Sequence, residues 1–87
     1  MIFDVEVRIT SNTIDLYSDE AEESIMEVLD GHGLLMHYEG KCIVALDIEA
    51  ETSAEAKKKA LDLLSPLGFN CRAKVEGDRG YIEEEHD

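Results

Sequence analysis

Three groups of side chains in this chain are of a type that does chemistry, and their spacing decides what kind. Glu20, Glu23, Glu27 and Asp30 recur at three- and four-residue intervals, so on a helix they line one face, with neighbours about 6 Å apart. Paired carboxylates catalyse when their environments differ and one is apolar enough to hold its proton; a solvated helix face treats every member alike. The ligand spacing and central glycine of a calcium loop are absent. What remains is charge: a row of anions that is either a solubilising face or a surface suited to a basic groove.

His32, His37 and Cys42 form the second group. A two-residue turn at Glu39-Gly40 would set His37 opposite Cys42, but His32 sits in a Gly-His-Gly loop at the far end of that strand. Zinc needs a third and fourth ligand converging there, so the reading is a partly buried histidine, with no metal and no cofactor. Cys42 and Cys71 are the third group. They are expected on strands two places apart, about twice the ~4.8 Å strand spacing, beyond the reach of a disulfide. Free, buried, structural thiols are expected. No dinucleotide or P-loop motif, nucleophile elbow, HExxH or CxxC is present, so no enzymatic activity is expected.

Composition narrows the partners. In 87 residues there are 21 acids and 8 Lys or Arg, a net charge of −13, which disfavours direct contact with nucleic acid or an anionic membrane. The charge is uneven: between Ile9 and Gly40 there is no Lys or Arg, and a second acidic block runs from Glu76 to Asp87. The apolar fraction of 44% comes in periodic segments rather than one long run, which argues against disorder and a membrane span. The first residues read as a strand rather than a secretory signal, giving a cytoplasmic expectation.

The elements that position these groups follow from periodicity. Ile2 to Thr10 alternates, with Phe3, Val5, Val7 and Ile9 on one side. Ser18 or Asp19 caps a helix running to about Asp30, with Ala21, Ile25, Val28 and Leu29 inward, Tyr17 as a hydrophobic staple and Gly31 as its left-handed terminator. Leu34 to Tyr38 and Lys41 to Ala50 form a hairpin, with Leu35 and His37 on the core side. Thr52 and Glu55 make a capping box for a second helix, whose inner face is Ala56, Ala60, Leu63, Leu64 and Leu67 and whose Lys57 to Lys59 are solvated. Phe69 to Glu76 is the last strand, with Phe69, Cys71, Ala73 and Val75 inward. Residues 78–87 are expected to be an acidic tail, mobile or bound to an edge, outside a single domain of residues 1–77.

The order βαββαβ resembles the ferredoxin-like split βαβ fold. The expected architecture is α+β: a four-stranded antiparallel sheet, first and third strands central, with two helices on one face. Leu34, Met36, Tyr38, Ile43 and Ala45 would then form an apolar area on the open face, beside a charged half made by Glu6, Arg8, Asp47, Arg72 and Lys74. A contiguous patch of this kind suggests an interface.

Two functions are expected from these surfaces. Regularly spaced carboxylates on a rigid helix can occupy a groove built for phosphates, and the acidic composition resembles that of small phage-encoded inhibitors of restriction or CRISPR nucleases. The leading expectation is a non-enzymatic, nucleic-acid-mimicking inhibitor or modulator that binds a basic protein partner through Glu20, Glu23, Glu27 and Asp30. The alternative is a homo-oligomeric ligand-binding or assembly module that uses the open sheet face. A third possibility, an acidic housekeeping domain from a high-salt organism, needs no site.

Overall fold

A strict two-residue alternation gives β1, Ile2–Thr10, in which Val5, Val7 and Ile9 are buried. The computed structural model describes the whole chain, Met1–Asp87. Next come α1 (Asp19–Leu29), β2 (Gly33–Tyr38), β3 (Lys41–Glu49), α2 (Ser53–Leu64), a 3-10 turn (Ser65–Leu67), β4 (Asn70–Val75) and β5 (Tyr81–Glu84). The fold is α+β, with the five strands in one antiparallel sheet ordered β2-β3-β1-β4-β5.

The expected count of four strands is corrected to five. Tyr81–Glu84, expected in the tail, pairs with β4, with Ile82 opposite Ala73 and Glu83 opposite Arg72. Beyond β5, the backbone N–H groups of His86 and Asp87 both donate to Asn70 Oδ1 at 3.0 Å. The Asp87 carboxylate accepts from the Ser11 and Thr13 hydroxyls. These bonds hold its pKa below the usual carboxylate range, the Ser11 bond contributing most.

Both helices contribute to one continuous core. Ala21, Ile25 and Leu29 of α1 and Ala56, Ala60, Leu61 and Leu64 of α2 pack with Val5, Val7, Ile9, Cys42, Val44, Leu46, Cys71, Ala73 and Val75. The helix starts follow their caps: the Ala21 N–H donates to Ser18 Oγ at 3.3 Å and the Glu55 N–H to Thr52 Oγ1 at 3.2 Å. At the end of α1 the left-handed turn begins one residue earlier than expected, at Asp30 (φ 48°), and continues through Gly31 (φ 79°). Tyr17 stacks on His37, with ring centroids 4.3 Å apart.

Three burial expectations are corrected. The inner face of α2 carries Leu61, while Leu63 is exposed; the stripe turns by this much because α2 packs against β1, β3 and β4. Lys57, expected in solvent, is the one buried charged residue, 6% exposed, because it reaches Asp78 in the β4–β5 turn. His37 lies on the helix-facing side of β2, but β2 is the sheet edge and leaves the ring exposed.

Candidate protein-binding surfaces

The register of the β2–β3 hairpin determines the open face. Glu39 (φ 50°) and Gly40 (φ 76°) are both left-handed, which is the type I′ turn of a two-residue hairpin loop. Tyr38 therefore pairs with Lys41, His37 with Cys42, Met36 with Ile43, Leu35 with Val44 and Leu34 with Ala45. At the start of β2, Gly33 faces Leu46 so closely that an added Cβ would lie 2.5 Å from a Leu46 methyl. A side chain there would have to displace the Leu46 and Leu29 methyls and would press on the Ala45 carbonyl at 3.0 Å, so glycine fits the strand start without rearrangement.

This register sets Leu34, Met36, Tyr38, Ile43 and Ala45 together on the side of the sheet away from the helices. They differ in exposure: Leu34 is 62%, Met36 39% and Tyr38 63% exposed, while Ile43 is buried among its neighbours and Ala45 is half-buried. Glu6, Met36, His37, Tyr38 and Ile43 border a shallow concavity of about 620 Å³. On the same face Arg8 stands opposite Arg72 and Glu6 opposite Lys74. Arg72 is committed locally. Its Nε and Nη2 donate to Glu83 Oε1 at 2.8 and 2.6 Å, and its guanidinium lies 4.5 Å from the centre of the Tyr81 ring. Hydrogen bonding to Glu83 raises its pKa further.

The acidic row is a second, separate surface. Glu20, Glu23 and Glu27 are exposed on α1 and border one polar concavity with Ser24; Asp30 follows as the exposed C-cap. No Lys, Arg or His side chain lies within ion-pair distance of any of the four. Asp19, Glu20 and Glu22 in the first turn are favoured by the positive end of the helix dipole. Glu27 and Asp30 sit at the negative end, where carboxylates are disfavoured, and Glu23 and Glu27 are like charges at i and i+4.

On α2, Glu55, Lys57 and Lys59 are paired, while Lys58 and Asp62 are not. Lys57 Nζ donates to Asp78 Oδ2 at 2.8 Å, Ser53 Oγ donates to the same oxygen at 2.8 Å, and the Gly80 N–H donates to Oδ1 at 3.1 Å. These bonds, that of Lys57 foremost, hold the Asp78 carboxyl well below the usual carboxylate range. Lys59 bridges Glu55 at 3.2 Å across one helical turn and donates to the Glu49 carbonyl at 2.9 Å. The cluster ties the start of α2 to the turn that launches β5. Spacing in sequence did not reveal it, because Asp78 lies in a turn with no periodic signal.

The two thiols are free and buried. Burial, then the nearby Glu22 carboxylate, raises the Cys42 pKa; burial, then Glu84 and Cys42, pushes Cys71 up to about 11. Such thiols are poor nucleophiles at neutral pH. His32, His37 and Cys42 do not come together with a further ligand, and no three His, Cys, Asp or Glu side chains form a metal-binding group. No helix is long and apolar enough to cross a membrane.

Comparison with known proteins adds no identification: no family model matches the chain, and neither a curated protein nor a solved structure matches it.

Proposed function

We propose that this chain is a non-enzymatic protein-binding domain that engages a basic partner surface through Glu20, Glu23, Glu27 and Asp30, as a mimic of a nucleic-acid backbone. The observation that carries this reading is the unpaired acidic side of α1, in which Glu27 and Asp30 stand at the negative end of the helix dipole and Glu23 and Glu27 are like charges at i and i+4. A face that only solubilises gains as much from the mixed charges seen on α2. A row of carboxylates held in line on a packed helix costs a partner no ordering of the row, and gives electrostatic steering as well as contact. Inhibition or modulation of a phosphate-binding protein, of the phage-encoded kind, is the role that such mimicry implies. The buried thiols fit a reducing, cytoplasmic setting. We further infer a ferredoxin-like arrangement for the first four strands and two helices, supported by the run β2-β3-β1-β4 within the sheet order.

The test is capture from host lysate by wild-type chain and by the Glu23→Lys/Glu27→Lys variant, followed by binding measurements on whatever wild type retains. Affinity should fall steeply with salt, since contacts between exposed charges are screened over about 8 Å at physiological ionic strength. The reversal should abolish binding. A matched control, Glu51→Lys/Glu76→Lys, alters exposed acids elsewhere and should mainly slow association. Glu83 is unsuitable as a control because it holds Arg72. A partner retained equally by the α1 variant removes this reading.

The second reading is an assembly or ligand-binding module that uses Leu34, Met36, Tyr38, Ile43 and Ala45. The exposure of Leu34, Met36 and Tyr38 on one strand supports it.

A further inference from the structure

Arg8 and Arg72 stand directly opposite each other on β1 and β4, on the side of the sheet away from the helices. Like charges in that position destabilise an antiparallel pair unless something neutralises them. Glu83 of β5, opposite Arg72 on its other side, does so for one guanidinium only. Arg8 has no carboxylate within ion-pair distance. Thr10 and Asn70 form the next pair on this face, and with Arg8, Arg72, Glu83 and Glu85 they border a concavity of about 240 Å³. Asn70 Oδ1 accepts from the His86 and Asp87 N–H groups, which leaves its side-chain N–H groups as donors, with the Thr10 hydroxyl beside them. Glu85 has no cation within ion-pair distance. Glu84 lies opposite Cys71, on the helix side of β5, and bridges His86 at 3.0 Å. With the Arg72–Glu83 pair set aside, the concavity holds one unpaired cation, one unpaired anion and two neutral donors.

We propose that this concavity binds a small zwitterion, a free α-amino acid. Its carboxylate is held by the Arg8 guanidinium, the Thr10 hydroxyl and the Asn70 amide, and its ammonium by Glu85. This goes beyond the acidic-row reading and does not depend on it, since α1 lies on the other side of the sheet. Arg8 and Glu85 belong to β1 and to the end of β5, two strand steps or about 10 Å apart, so the two charges face one concavity without meeting across it. A guanidinium matches a carboxylate with two parallel hydrogen bonds, which is why the acid end is placed at Arg8.

The charge balance selects the ligand class. A simple anion would gain Arg8 but meet Glu83 and Glu85, and a simple cation would gain Glu85 but meet Arg8 beside Arg72. A molecule with both charges on neighbouring atoms satisfies both ends at once. It is also neutral overall, so the net charge of −13 neither repels nor concentrates it. Size and lining narrow the side chain. At ~30 Å³ per water-sized unit the space holds about eight such units, and Cys71 is the only apolar residue that borders it. Serine and threonine fit this description, and the large apolar amino acids do not.

Amide NMR of the full chain tests this, by titration with serine and threonine and, at matched ionic strength, with acetate, methylamine and inorganic phosphate. Serine or threonine should give saturable shifts at Arg8, Thr10, Asn70, Arg72 and Glu83 to Glu85, while the three singly functional probes bind at least tenfold more weakly. Arg8→Gln should weaken amino-acid binding at least tenfold, and Arg8→Lys, which keeps the charge but loses the fork, should fall between. Both changes are at an exposed position outside the core, so the rest of the spectrum should be unchanged. Glu85→Gln should weaken amino-acid binding severalfold and at the same time tighten acetate, a reversal that loss of structure does not produce. Glu23→Lys/Glu27→Lys should leave the titration unaltered, which separates this site from the acidic row. No saturable shift with either amino acid up to about 20 mM overturns the proposal, since weaker binding than that is no better than unspecific contact. So does acetate or phosphate binding as tightly as serine, which would mean an anion site, methylamine doing so, which would mean a cation site, or amino-acid binding that survives Arg8→Gln.

Discussion

The two helices pack on the same sheet and share a core, yet their outer sides are built on opposite rules. On α2 the charges are of both signs and three of the five serve structure: Lys57, with Ser53, holds Asp78, and Lys59 bridges Glu55, while Lys58 and Asp62 are unpaired. On α1 the exposed charges are all of one sign and none is paired, including two at the end of the helix where the dipole opposes them. Charge that is paired reports on stability, whereas charge left unpaired against local electrostatics contributes nothing to the fold and is what the proposed binding role would use. The contrast predicts that changes on α2 should cost stability and that changes on the outer side of α1 should not.

The largest effect is on the side of α1 where it does carry stability. Ile25 is fully buried, and Ile25→Ala should cost about 2–5 kcal/mol in urea unfolding, as a lost transfer and cavity effect. A cost below ~1 kcal/mol would mean that α1 is not anchored through this stripe. Next comes Asp78→Ala, which leaves the Lys57 ammonium buried without its partner. It should lower the urea midpoint clearly and selectively loosen β5, read as faster amide exchange at Tyr81–Glu84. Uniform exchange along the sheet would contradict the clamp.

The same pair sets a pH dependence. The Asp78 pKa is depressed in the folded chain, so its contribution is fully present above the ordinary aspartate value of about 3.9. It is lost as pH falls below that value toward the folded one. The stability gap between wild type and Asp78→Asn should therefore be constant from neutral pH to about pH 5 and close progressively below about pH 4. A gap that persists unchanged into strong acid would remove the ion pair as its cause. The smallest loss should come from Glu55→Gln, which breaks an exposed i,i+4 bridge worth about 0.3–0.5 kcal/mol.

How much of this was legible in sequence depends on range. Alternation in Ile2–Thr10, the Thr52 cap and the Glu39-Gly40 turn are short-range signals, and they led to the right strand faces, the start of α2 and the hairpin register. β5 was not readable as a strand because it offers only one inward apolar residue, Ile82, among acids; its strand character comes from pairing with β4. Lys57 read as one of a run of three solvated lysines because its partner lies 21 residues away. Leu61 and Leu63 are both reasonable neighbours of an Ala56–Ala60 stripe, and only the packing of α2 on the sheet chooses between them. The α1 acids were placed on one exposed side by helical spacing alone. The partner proposed for them is a second molecule, and no pattern within this chain encodes it.

The contrast between the helices is tested most directly by Glu27→Lys, followed by urea unfolding at low salt. The change relieves the repulsion with Glu23, creates a Glu-to-Lys pair at i and i+4, and puts a cation at the negative end of the dipole. A helix kept acidic at a cost to itself should become more stable by about 0.5–1 kcal/mol, with the gain shrinking as salt is added. An unchanged or lower stability would contradict the claim that the outer side of α1 is maintained against its own electrostatics.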